Sequence, residues 1–347
     1  MAKRIIKKIR VGVVGCGRIS QKHFQAIKKN SKFLNLVAAC DTNLGILNKL
    51  KRNYKIKVYS SFPNMIDKEK LDLVSICTPS GYHAEQAIKA TQKKINVLTE
   101  KPMATSFQDG QKMVEACKKN KKKLFVVKQT RLNESLTLLK RAIDEKRFGK
   151  IFLVQVNMFW TRPQDYYDIA NWRGTKKLDG GAFMNQASHY VDLLNWLIGP
   201  IEKIHAMTGT LLRKIEVEDT GVLNIKWKKG TLGSMSITTL VYPKNYEGSI
   251  TIMGEKGTVK IGGTAVDKIE HWKFKSKKSY DFMVNKINSR KTKFDGHSIF
   301  YQKAIQTLLG KKNKLPENIE NLKSLETLVG IYQSASTKKT VSFPLKK

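Results

Sequence analysis

The segment from Ile9 to Gly17, IRVGVVGCG, constrains the fold of this chain more than any other. A short, nearly continuous apolar run that stops at a glycine reads as a strand buried on both faces. A second glycine two residues on, then a helical pattern from about Arg18 to Lys29, places strand, tight turn and helix in direct succession. Four more runs of this kind follow, at 34–41, 71–79, 95–102 and 123–129, with helix-length stretches between them. Such alternation predicts a doubly wound parallel sheet, whose ligand lies at the carboxyl ends of the strands.

From about Lys150 the pattern changes. A helix is expected over Asp179 to Leu197, and β-rich runs follow at 201–212, 218–230, 231–243 and 248–263. The glycine turns KKGTLG and GEKGTV between extended runs point to antiparallel hairpins. Two helical patterns close the chain, near Ser298 to Leu309 and Asn318 to Ser336. The expected fold class is α/β: an N-terminal doubly wound parallel sheet over 1–130, then a C-terminal α+β domain over 131–347 with a large, mainly antiparallel sheet.

The net charge of +37 invites a nucleic-acid reading. Yet 54 of the 65 basic residues are Lys, spread along all 347 positions, and no RNP, zinc-finger or basic-zipper pattern is present. Solvated Lys-rich faces account for the charge, and no specific nucleic-acid partner is expected. No apolar run reaches the ~18 to 20 residues that cross a bilayer, so no membrane partner is expected either. The basic, then apolar start runs into the glycine motif instead of a cleavage site, which points to a cytoplasmic protein. The four cysteines lie far apart with no ligand spacing, so neither a disulfide framework nor a metal site is expected.

Gly15 and Gly17 follow the first strand and open the first helix, where backbone amides and the positive helix end can approach a pyrophosphate closely. Asp41 ends the second strand some twenty residues later, where a carboxylate accepts hydrogen bonds from ribose hydroxyls and repels a 2′-phosphate. This Rossmann fingerprint favours NAD over NADP. Two alternatives stay open: Asp41 as a cap of the following helix, and FAD or a nucleotide sugar in the same crevice. Arg18, Ile19 and Thr42 adjoin these residues and complete the loop set.

Several motifs together carry a resemblance over essentially the whole chain. Gly15-x-Gly17, Thr78-Pro79 with His83, Glu100-Lys101-Pro102 and DGGAFMNQASHYVD occur in the order and spacing of the Gfo/Idh/MocA oxidoreductases. The resemblance implies an NAD-dependent sugar dehydrogenase, with Thr78, Pro79, His83, Glu100, Lys101 and Gln129 at the cofactor. It makes Lys101 catalytic, and a partly desolvated ammonium near a nicotinamide is a plausible proton acceptor. The family's Asp and His four residues apart correspond to Asn185 and His189, which one helix would present on one face. An amide takes up no proton, so Asn185 orients while Lys101 and His189 form the acid/base pair.

Among subgroups with Asn at this place, VVKQTRLNE, WTRPQDYYD, NWRGTKKLDGG and GHSIFYQ are most similar to UDP-N-acetylglucosaminuronate 3-dehydrogenases. That resemblance implies oxidation of the 3-hydroxyl of a UDP-uronate by NAD, within diacetylated aminouronic acid synthesis for O-antigen lipopolysaccharide. Its substrate set is Lys101, Arg131, Tyr166, Tyr167, Trp172, Arg173, Thr175, Asn185, Gln186, His189 and His297. Arg131 and Arg173 would supply planar forks to carboxylate or diphosphate. A homo-oligomer, dimer or tetramer, and recycling of NADH by a 2-keto acid are further implications. The rival readings are a dehydrogenase of another sugar, inositol or nucleotide sugar, and a non-catalytic ligand-sensing regulator on the same fold.

Overall fold

The computed structural model describes residues 8–290, 294–313 and 315–345. The chain divides into two compact units, 1–129 with 295–322, and 130–294 with 323–347. The sequence division at 130/131 has no counterpart for the return of 295–322 to the first unit.

The first unit holds six strands: β1 (Ile9–Val14), β2 (Leu34–Cys40), β3 (Lys57–Tyr59), β4 (Leu73–Ile76), β5 (Asn96–Thr99) and β6 (Leu124–Val126). All pair in parallel in the order β3-β2-β1-β4-β5-β6, as the alternating pattern requires. Val11, Val13, Val74, Ile76, Val97 and Leu98 are fully buried, which is why these strands read as continuous apolar runs. Helix Leu44–Tyr54 starts at Asn43, whose side chain accepts from the Ile46 amide at 3.1 Å. The cap is therefore Asn43 and not Asp41. Helix Gly296–Leu308 packs along helix Ser20–Lys29 and ties to it through Lys29 and Asp295, 2.6 Å apart.

The second unit is built on eight strands: β7 (Ile151–Phe159), β8 (Ile201–Gly209), β9 (Thr220–Trp227), β10 (Leu232–Thr238), β11 (Glu247–Gly254), β12 (Gly257–Gly262), β13 (Lys268–Phe274) and β14 (Val341–Ser342). Their order is β13-β12-β11-β7-β10-β9-β8-β14, antiparallel except between β7 and β10. Both glycine-turn hairpins form, β9 with β10 and β11 with β12. Strands β7 and β13 stand outside the β-rich runs read from the sequence. The first blurs its alternation by exposing adjacent Phe152 and Leu153. Val154, Val156 and Met158 of β7 nevertheless face inward with Met235, Ile237, Ile250 and Ile252, all at most 1% exposed.

Candidate active site

In the first unit the loops that follow β1, β2, β4, β5 and β6 carry Gly15 and Gly17, Asp41, Thr78, Glu100 and Lys101, and Gln129 in turn. Gly15 has φ +79°, and a Cβ there would lie 2.5 Å from the Thr78 amide nitrogen. No L side chain fits that approach. Gly17 is the opposite case: a Cβ there would meet nothing within 4 Å, so the loop leaves open space on this side. Helix Ser20–Lys29 begins beside it with no side-chain cap and no acidic residue in its first turn. Its first amides thus suit a pyrophosphate, and Arg18 and Ile19 are exposed at the same end.

The Asp41 carboxylate accepts from the Cys16 amide at 2.7 Å and from the Asn43 amide at 2.8 Å. It pins the glycine loop while staying half-exposed beside exposed Thr42, a position fit for ribose hydroxyls. These features match the donor and acceptor pattern of NAD.

His83 is buried, with Nδ1 2.8 Å from the Pro102 carbonyl and Nε2 2.8 Å from the Thr78 carbonyl. It holds these two loops together. Burial pulls its pKa down, against the opposing pull of the two carbonyls.

Glu100 also points inward. Its Oε1 accepts from His23 Nε2 and from His297 Nε2, each at 2.9 Å, and its Oε2 accepts from the Lys101 amide at 3.2 Å. His23 Nδ1 lies 2.9 Å from the Tyr301 hydroxyl and 2.8 Å from the Ser75 hydroxyl. Burial pushes the Glu100 carboxyl up, but hydrogen bonds from the two histidines prevail and hold it well below its ordinary range. Burial pulls His23 down. Glu100 and His297, which the resemblance placed at cofactor and substrate, thus meet each other beneath Lys101. Among the described residues, His23, Glu100 and His297 also bring three metal-capable atoms within 4.8 Å. All three are already used in hydrogen bonds, so the cluster needs no ion to satisfy it. Lys101 itself is half-buried, just after β5. Nothing in the sequence pattern singled out His23 or Ser75, because their partners lie 50 to 280 residues away.

In the second unit the single helix expected over Asp179 to Leu197 is broken into Gly181–Met184 and Ser188–Ile198. Between them the Ala187 amide reaches back to the Ala182 carbonyl, a five-residue step. The break also turns the Asn185 side chain back to Asp179 Oδ1. Asn185 and His189 therefore do not form an i, i+4 pair on one unbroken helix. Asn185 ends the first piece, and half-buried His189 lies in the first turn of the second. Asp179 Oδ2 also accepts from the Gly174 amide at 2.8 Å, so one buried carboxylate ties both loops. Gly180 and Gly181 have φ +89° and +97°, a backbone conformation that L side chains rarely adopt. Gln186 is buried within the break.

Arg131 uses its fork on Asp192, Nε to Oδ2 at 2.7 Å and Nη2 to Oδ1 at 2.8 Å, with both side chains buried. Ser324 donates to the same carboxylate at 2.7 Å. A buried guanidinium requires a counter-charge, and Asp192 provides it, so two donors of the fork expected to meet substrate are engaged within the second unit. Arg173 differs. Its guanidinium lies 4.2 Å from the Tyr166 ring centre and 4.7 Å from that of Trp172. Thr175 donates to the Trp172 carbonyl at 2.7 Å, closing that loop on itself. Tyr167 is core, with its hydroxyl 3.4 Å from that of Thr239.

Residues 9–128 match the family model for the oxidoreductase family, NAD-binding Rossmann fold, and residues 140–343 match that for its C-terminal alpha/beta domain. The chain belongs to the Gfo/Idh/MocA oxidoreductase family. It is an NAD-dependent enzyme, and residues 9–128, which include the glycine loop, form its NAD-binding Rossmann fold. Over 98% of its length it is similar to the WlbA dehydrogenase of Chromobacterium violaceum, solved with NADH and UDP-GlcNAcA (49% identity, TM-score 0.94, 97% of that chain). The WlbA dehydrogenase of Bordetella pertussis, solved with the same two ligands, is 47% identical (TM-score 0.93, 98% of this chain and 99% of that one). Myo-inositol 2-dehydrogenase of Thermotoga maritima is 26% identical over 261 residues, 72% of this chain and 74% of the relative. Among the described residues no helix is long and apolar enough to cross a membrane.

Proposed function

We propose that this enzyme oxidises the 3-hydroxyl of UDP-N-acetylglucosaminuronic acid to the ketone. The similarity to the two WlbA dehydrogenases along nearly the full chain carries this reading. NAD, held by the glycine loop at Gly15 and Gly17 with Asp41, would supply the hydride acceptor for C3. Lys101 or His189 takes the hydroxyl proton as the C–H bond breaks, and the C–O bond becomes the carbonyl. Asn185 and Gln186 orient the reactants, since an amide donates and accepts hydrogen bonds without taking a proton. Arg173, braced on two aromatic faces, receives the uronate carboxylate or a phosphate of the UDP. The rest of the reading follows from this substrate: a cytoplasmic step of O-antigen aminouronic acid synthesis, with a 2-keto acid recycling NADH where it stays bound. A homo-oligomer fits the solvent face of the large sheet, where Leu153 and Leu232 pair across β7 and β10, and Met207 and Val222 across β8 and β9, all at least 40% exposed.

The test is a substrate panel followed by NADH absorbance, with UDP-N-acetylglucosaminuronate against UDP-N-acetylglucosamine, free sugars and inositol. Turnover confined to an uncharged or free sugar overturns the substrate; turnover of none, with tight NAD binding, favours the sensing reading. Lys101→Met is expected to keep NAD affinity and lose ~10²- to 10⁴-fold in kcat. Near-normal kcat in that variant refutes the role of Lys101.

A further inference from the structure

Just before β9, the Glu218 side chain is 6% exposed and packs under the turn that ends in Asn185. A Cβ on Gly181 would lie 2.1 Å from Glu218 Oε2, so the glycine makes room for this carboxyl. Glu218 Oε1 accepts from the Phe183 amide at 2.8 Å and lies 2.8 Å from the Tyr332 hydroxyl. That hydroxyl also contacts the Gly180 carbonyl and accepts from the Met184 amide at 3.0 Å.

Counting hydrogens determines the charge. The Tyr332 oxygen is in hydrogen-bond contact with two other oxygens, Gly180 O and Glu218 Oε1, and carries one hydrogen. A carbonyl has no hydrogen to give, and an ionised carboxylate has none either. With a single proton, one of the two contacts would be bare oxygen against oxygen in a buried site, which is repulsive. The missing hydrogen has one source, the carboxyl of Glu218.

We propose that Glu218 is a neutral carboxylic acid that donates to Tyr332 while Tyr332 donates to Gly180, and that this relay positions the turn bearing Asn185. Glu218 is then a positioning residue: it reaches the site through Tyr332 and the Gly180–Asn185 backbone.

The surroundings agree. Among the described residues, Tyr332, from helix Asn318–Thr337, and Asp179, from the loop before Gly180, are the titratable side chains that act most strongly on Glu218, and neither is a cation. Asp179 is engaged by the Gly174 amide and Asn185. On Glu218's own stretch, Glu216 accepts from the Lys176 amide, and Asp219 from the amides of Leu211, Leu212 and Arg213. Burial pushes the Glu218 carboxyl up to about 7, and the Asp179 charge adds to that push. Burial also pushes Tyr332 well above its ordinary range, so its single hydrogen stays in place. Because the folded value lies above the ordinary 4.5, the stabilisation is complete below about 4.5 and is lost as pH rises through about 7.

The effect on turnover rests on reading Asn185 to His189 as the substrate site; the protonation does not. Infrared difference spectra of the intact protein between about pH 6 and about pH 9 test the charge, because ordinary carboxyls are ionised across that range. The expected result is a protonated-carboxyl C=O band that fades as pH rises, is absent in Glu218→Gln, and shifts in Tyr332→Phe. The Tyr332→Phe shift decides the matter if Glu218→Gln fails to fold. A Glu218→Gln spectrum identical to wild type at about pH 6, or a band unmoved by Tyr332→Phe, overturns the protonation. KM for the sugar should rise several-fold through pH 7 in the wild type, with KM for NAD flat, and this slope should vanish in Glu218→Gln. A sugar KM that stays flat while the infrared band fades overturns the positioning role alone.

Discussion

The two units settle their buried charges in opposite ways. Beneath Lys101 the first unit keeps an ionised Glu100 between His23 and His297, each donating from Nε2, with hydroxyls of Ser75 and Tyr301 beyond. Beneath Asn185 the second unit keeps Glu218 against the Tyr332 hydroxyl and the Phe183 amide, where burial pushes its carboxyl up to about 7 and favours the protonated form proposed above. The contrast shows that a buried carboxyl's state follows from whether its neighbours have hydrogens to give. One half of the enzyme is thereby acid-sensitive and the other base-sensitive.

Removing a counter-charge breaks the comparison most severely. Asp192→Asn leaves the buried Arg131 guanidinium without its anion and is expected to cost about 3–5 kcal/mol in chemical denaturation. Arg131→Met combined with Asp192→Leu should recover much of that loss, since neither charge is then stranded; an equal loss in both would show that the pair acts through packing. Titration sharpens the comparison at somewhat smaller scale. Moving Glu218 from 4.5 to about 7 corresponds to roughly 3 kcal/mol, lost as pH rises across that interval. His23 runs the other way: burial lowers its folded pKa below the ordinary 6.5, so its contribution is present above that value and lost as pH falls through the folded one. Unfolding followed against pH should therefore lose its base-side decline in Glu218→Gln and keep its acid-side one. Loss of both limbs in that single variant would mean the two clusters do not titrate independently. The smallest effect is at a cap: Asn43→Ala should cost ~1 kcal/mol and leave NAD affinity unchanged, because Asp41 holds the glycine loop on its own.

The legibility of the two sites differs for the same physical reason. The glycine loop is made of backbone: Gly15 is required by its own φ and by the approach of Thr78, while Gly17 stands beside open space at the helix end. Those demands fall on neighbours in sequence, so strand, glycines and Asp41 were readable in order. The second site depends on carboxylates and their distant donors. Asp179 was visible only as part of a motif, and Glu218 and Tyr332 lie 114 residues apart with no local pattern linking them. For that reason Asn185 and His189 were expected on one helix, whereas the helix breaks between Met184 and Ser188, where the Asn185 side chain turns back to Asp179. The pairing of Arg131 with Asp192 was hidden likewise, since a fork that serves a substrate and one that closes on a carboxylate 61 residues away look identical in sequence.

The return of residues 295–322 to the first unit sets an order of assembly. A ribosome emits the six parallel strands long before His297 and Tyr301, so Glu100 and His23 lack these two partners while some 170 further residues are made. The nucleotide-binding half is therefore the first to begin folding and among the last to finish. A nascent chain stopped short of the final helices carries every glycine of the dinucleotide loop and still lacks the hydrogen-bond partners that settle the strand end beneath its lysine.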